Sequence, residues 1–121
     1  MSCDVARFTI TKGLDNNFVF TIKADGSTLP MEIVAGSDTF TAKLVSLSSG
    51  SIALTKDLTI VNAVGGKVSL TITSAEAASL TSDKGSKVDR YYLLPTYKLL
   101  LDCRTTNNGN FIAKVPEVYV D

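Results

Sequence analysis

Tyr97-Lys98-Leu99-Leu100-Leu101-Asp102-Cys103-Arg104 is the stretch that decides the fold. Tyr97, Leu99, Leu101 and Cys103 fall on one side of a period-two pattern, with Lys98, Leu100, Asp102 and Arg104 on the other. That is the signature of a strand with one buried face. Asn107-Asn108-Gly109-Asn110 follows and suits a hairpin turn. Residues 111–115 return from it. Pro116 then kinks or bulges a last strand that runs on through Val118 and Val120, and a proline there fits an edge position.

Towards the N-terminus the same alternation repeats. Phe8 and Ile10 share a face before a break at Lys12-Gly13 and Asp15-Asn16-Asn17. Phe18, Phe20 and Ile22 point inward, with Val19, Thr21 and Lys23 outward, and Asp25-Gly26-Ser27 closes that strand. Residues 29–34 are ambiguous, because Pro30 does not suit a central strand. Phe40, Ala42 and Leu44 oppose Thr41, Lys43 and Val45. After the turn Ser48-Ser49-Gly50, Ile52 and Leu54 continue the pattern. Leu58-Thr59-Ile60-Val61 and Val68-Ser69-Leu70-Thr71-Ile72 flank a turn whose Gly65-Gly66 can take positive φ.

Helical character arises once, in Thr73-Ser74-Ala75-Glu76-Ala77-Ala78-Ser79-Leu80, where Thr73 and Glu76 have capping-box spacing. About two turns are too few for a helix that stands alone, so this reads as a connection across one end of a sheet. Residues 81–89 form a polar loop. Some seven short strands, spaced at roughly 8–12 residues, indicate an all-β sandwich or barrel.

The chain has 121 residues, enough for one domain with one core. Lys+Arg and Asp+Glu number 12 each and His is absent. Charge neutrality speaks against nucleic acid and acidic membranes as partners, and no apolar run approaches the ~18 residues that span a bilayer. Without His, the commonest general base and metal ligand are missing. Cys3 and Cys103 are read as free thiols that no imidazole activates, with Cys103 a small core residue. Asp83 and Asp89, with Ser82 and Ser86, lack the spacing of a calcium loop. Gly65-Gly66-Lys67 precedes a strand and is a turn, not a phosphate loop. No catalytic, cofactor or metal site is expected, and no small-molecule substrate. The N-terminal residues carry no export pattern, so the chain is expected to stay in the cytoplasm or enter a particle assembled there.

Tyr91-Tyr92-Leu93-Leu94-Pro95 is the most unusual local feature, because an alternating strand cannot turn four adjacent apolar residues inward. The segment either folds back over the end of the sandwich or covers a partner. Tyr91, Tyr92, Leu93, Leu94 and, in the lightly charged returning strand, Phe111 are the candidate partner contacts.

With the strands placed, the order of features resembles the immunoglobulin-like N-terminal domain of phage baseplate upper proteins and related small tailed-phage virion proteins. The matching residues are Ile10-Thr11-Lys12-Gly13, Phe18-Val19-Phe20-Thr21-Ile22-Lys23, Asp25-Gly26, Thr39-Phe40-Thr41-Ala42-Lys43-Leu44 and Gly66-Lys67-Val68-Ser69-Leu70-Thr71-Ile72-Thr73. Ser74-Ala75-Glu76-Ala77-Ala78 is similar to the family's helical crossover, and Tyr97-Lys98-Leu99 to its tyrosine-bearing strand. The loop before Tyr97 is longer than the family's usual one. The absence of a fibre module after Asp121 points to a small accessory or connector piece.

The resemblance implies a single immunoglobulin-like antiparallel β-sandwich over residues 1–121, of seven to nine strands with one short helical connection. It further implies a non-enzymatic tail, baseplate or neck component made in the host cytoplasm, docking on copies of itself and on neighbouring virion proteins. The alternative is a carbohydrate- or adhesin-type binding sandwich, against which the lack of Trp and the 7% aromatic content speak.

Overall fold

The strand that decides the fold in sequence is also central in space. β8 (Tyr97–Thr105) lies between β4 (Thr39–Ser46) and β9 (Gly109–Val120), antiparallel to both. Leu101 is paired with Ala42 on one side and Ala113 on the other. Beyond β4 runs β5 (Ile52–Asp57) and beyond β9 runs β2 (Arg7–Ile10), giving the order β2-β9-β8-β4-β5. The second sheet contains β1 (Ser2–Cys3), β3 (Asn16–Lys23), β6 (Thr59–Asn62) and β7 (Lys67–Ile72), in the order β1-β3-β7-β6. A computed structural model describes residues 2–23, 29–80 and 96–120. The expected turn Asp25-Gly26-Ser27, the polar loop 81–89 and the candidate contact Tyr91-Tyr92-Leu93-Leu94-Pro95 lie outside the described residues.

The fold is an immunoglobulin-like all-β sandwich. In that plan the first, second, fifth and fourth strands form one sheet, and the third, sixth and seventh form the other. Here β1, β3, β7 and β6 make the first set, while β4, β8 and β9 with the added β5 make the second. Phe20, Ile22, Val68, Leu70 and Ile72 from one sheet share a single core with Leu44, Leu99, Leu101 and Val115 from the other, each at most 1% exposed. Each such side chain contributes roughly 1.5–3 kcal/mol by leaving water. The inward set of β8, Tyr97, Leu99, Leu101 and Cys103, is buried as the alternation requires.

Three features depart from the sequence reading. First, the initial strand is split between the sheets. β1 is antiparallel to β3, and β2 then runs parallel to β9, with Arg7 opposite Glu117 and Ile10 opposite Val120. Asp4 makes the step. Its N–H donates to the Thr21 carbonyl at 3.1 Å and its carboxylate accepts the Thr21 N–H at 2.8 Å, ending the pairing with β3.

Second, β9 is an inner strand along its last residues, so Pro116 is not at a simple edge. Leu99 pairs with Val115 but Tyr97 pairs with Val118, so one extra residue of β9 is accommodated around Pro116. A bulge needs no ladder N–H there, and proline has none to give.

Third, Val45 is buried, although alternation assigns it outward. It stays in regular register with β8, opposite Lys98 on the outer face, and does not join the core cluster; the register shift beside it places the extra residue on β5.

The ambiguous residues 29–34 form no strand beyond a single bridge between Pro30 and Lys23. They enter the core by backbone bonds instead: the Met31 N–H donates to the Ile22 carbonyl at 2.7 Å, and that of Ile33 to the Ala63 carbonyl at 2.9 Å. Gly66, at φ +65°, makes this approach possible. A Cβ there would lie 2.6 Å from the Met31 carbonyl oxygen and 2.8 Å from that of Ile22.

α1 (Ser74–Ala78) carries the expected capping box. The Thr73 hydroxyl accepts the Glu76 N–H at 3.3 Å, and the Glu76 carboxylate accepts the Thr73 N–H at 3.0 Å. The same carboxylate takes Lys56 of β5 at 2.8 Å, and Ala77 and Leu80 are buried in the core.

Candidate functional site

Among the described residues, the groups with shifted ionisation are Cys3, Cys103, Asp38 and Glu76. Cys3 and Cys103 are free thiols. Burial pushes Cys3 up to about 11 and Cys103 up to about 12, so both are protonated and poor nucleophiles at neutral pH. Cys103 faces the core from β8, where its thiol donates to the Leu101 carbonyl at 3.3 Å.

Asp38 is buried, and its burial pushes the carboxyl up, but bonds from the Val34 and Thr106 backbone N–H groups outweigh this and hold it below the ordinary value. Those bonds, at 2.8 and 2.9 Å, tie the entry of β4 to the β8–β9 turn. Glu76 is lowered too, first by the hydrogen bond from Lys56 and then by the Thr73 amide. Asn16 closes the turn before β3, accepting from the Thr11 N–H and donating to the carbonyls of Thr11 and Leu14. Among the described residues no group of three His, Cys, Asp or Glu side chains gathers as a metal site.

One shallow groove of about 250 Å³ lies where β4 and β5 approach β6, lined by Asp38, Thr39, Phe40, Asp57, Leu58 and Ile60. Asp38 is already committed to two backbone donors, and Asp57 takes only a long 3.5 Å bond from the Thr41 hydroxyl. The groove holds no nucleophile.

The surfaces offer more than the cavities do. Of the candidate contacts, Tyr91, Tyr92, Leu93 and Leu94 are outside the described residues. Phe111 is half-buried and packs against the core, opposite Cys103 in the ladder. Its neighbour Ile112 is the outward residue, 56% exposed. Ile112 sits on the outer face of the five-stranded sheet in a row with Thr41 and Asp102, beside the row Lys43, Leu100 and Lys114. The opposite sheet turns Asn17, Val19, Ser69 and Thr71 outward, and Val61 of β6 is exposed too.

Sequence reasoning singled out the segment containing Phe111 for its lack of charge. It missed that, among the described strands, pairing on the far side of β9 starts only at Glu117, so residues 110–114 pair with β8 alone. No signal in the alternation could reveal that, because periodicity assigns faces and not neighbours. Comparison with known families finds no model that matches the chain, and comparison with curated proteins finds no match.

Proposed function

We propose that this chain is a non-enzymatic structural or assembly component of a tailed-phage virion, a tail, baseplate or neck accessory that works by docking. Its partners are copies of itself and neighbouring virion proteins. The observation that carries the docking part is the unequal treatment of polar groups. The buried polar residues Asp38 and Asn16 are engaged in holding turns, while residues 110–114 pair with β8 on one side and with no described strand in the ladder on the other. A sandwich whose buried carboxylate Asp38 is committed to holding a turn, and whose β9 edge is left open among the described strands, is suited to docking. The phage setting is supported by the resemblance of residues 10–13, 18–23, 25–26, 39–44, 66–78 and 97–99 to the immunoglobulin-like domain of baseplate upper proteins.

The test is mass spectrometry of tailed particles purified from cells in which the chain is expressed from its own genome. Its peptides should travel with the particles through a density gradient in several copies each. Particles made without the gene should lack a complete tail, neck or baseplate. Complete, infective particles free of these peptides would overturn the reading.

A further inference from the structure

Among the described strands, β9 has ladder partners on both sides only after its bulge, although β1 also lies close to it. Before the bulge, Gly109 to Val115 pair with β8, and β2 takes up the other side from Glu117. In an antiparallel ladder, alternate residues aim N–H and C=O away from the neighbouring strand. Residues 110–114 therefore present a row of such groups that no described strand accepts. Natural edges are blunted by charge, bulges or proline. Here Pro116 guards only the end of the row, Lys114 is the one charged residue within it, and the apolar Ile112 stands in solvent.

We propose that a second copy of this chain occupies this edge, paired antiparallel through residues 110–114 about a two-fold axis at Ile112. Register arithmetic selects that axis. It sets Ile112 against the partner's Ile112, Phe111 against the partner's Ala113, and Lys114 against the partner's Asn110. One apolar contact at the centre is then flanked by two Lys–Asn pairs, with no like charges opposed. Moving the axis to Ala113 brings the two lysines within ~8 Å of each other and places Pro116 opposite Asn110, where the ladder loses a donor. Moving it to Phe111 runs the ladder past Gly109 into the turn. The inward side chains Phe111 and Ala113 continue each core up to the join, so two five-stranded sheets become one.

The opposite edge does not compete. β5 ends in Lys56 and Asp57, and Lys56 is held by Glu76. Joining β9 to β5 would also be head-to-tail and open-ended, whereas pairing β9 with itself closes at two copies. The inference deepens the docking reading, and rests on it only for the use the dimer serves. The pairing itself is a property of the isolated chain.

Ile112→Cys and Lys114→Cys, both at exposed positions of the full chain, test the axis directly. About the proposed axis the two Cα atoms of position 112 lie ~5 Å apart, within disulfide reach, while those of position 114 are ~13 Å apart. Under mild oxidation, Ile112→Cys should give a covalent dimer at least tenfold faster than Lys114→Cys. Equal cross-linking of both, or of neither, overturns the proposal. Ile112→Lys checks the same contact without a disulfide. The unmodified chain should rise from 12.9 kDa towards twice that mass between ~1 and ~300 µM in light scattering, and the lysine variant should need at least tenfold more protein. Coincident mass curves would overturn the proposal. A chain monomeric throughout that still enters particles would also overturn it, and would leave the docking reading standing.

Discussion

The two ends of β9 carry the same alternating sequence and live in different surroundings. At Val118 the strand is flanked by β8 and by β2, and Val118 and Val120 are fully buried. At Ile112 it is flanked by β8 alone, and the side chain stands in solvent. Pro116 and its bulge lie between, where the ladder changes neighbours. The difference teaches that burial along this strand follows what covers each half. The second half is closed by the chain's own N-terminal strand, and the first half pairs with β8 alone among the described strands.

The contrast between covered and uncovered positions can be broken most sharply in the core. Leu99→Ala and Phe20→Ala should each destabilise the fold by roughly 2–5 kcal/mol, read as a shift in urea midpoint. Lys98→Ala and Thr21→Ala, on the outer faces of the same strands, should stay within about 1 kcal/mol. Similar shifts from the two pairs would mean that inside and outside are exchanged. Within β9, Val118→Ala should cost about 2 kcal/mol, because the site is closed on both sides and cannot collapse freely.

The short helix sharpens the comparison from another direction, since Glu76 is held by a cap and a lysine and not by a sheet. Thr73→Ala should cost about 1 kcal/mol by removing the hydroxyl that accepts the Glu76 amide. The carboxyls of Glu76 and Asp38 are both lowered in the folded chain. The stability they contribute is therefore present above their ordinary values and is lost as the pH falls through the lowered ones. A urea midpoint followed downward from neutral pH should decline in that acid window, and Glu76→Gln should flatten part of the decline. The smallest effect belongs to Ile112→Ala, which should leave the monomer's stability within about 0.5 kcal/mol while weakening self-association.

Much of the sandwich is legible in the residues. The alternation of Tyr97, Leu99, Leu101 and Cys103 sets the inward face of the central strand, Asn108 and Gly109 mark its hairpin, and Thr73 with Glu76 mark the helix start. These signals are local, and local physics honours them. The parallel pairing of β2 with β9 is not legible, since four residues at one end of the chain do not name their partner at the other. Met31 and Ile33 enter the core without strand geometry because Gly66 lets their backbone approach. That is a contact between distant segments, and no period reports it. Val45 is buried on the outer face, opposite Lys98, and alternation assigns a face without saying what covers it. For the candidate surface, low charge around Phe111 drew attention to β9. Only the ladder shows that Phe111 packs inward, Ile112 points out, and the backbone beside them pairs with no described strand but β8.

Amide hydrogen exchange along β9, measured at ~5 and ~300 µM, tests the central claim most directly. In the dilute sample the amides of residues 110–114 that point away from β8 should exchange at least tenfold faster than the amide of Val118. In the concentrated sample they should slow tenfold or more while Val118 stays unchanged, as a second copy covers the open half. Exchange that is independent of concentration along the whole strand would contradict the account.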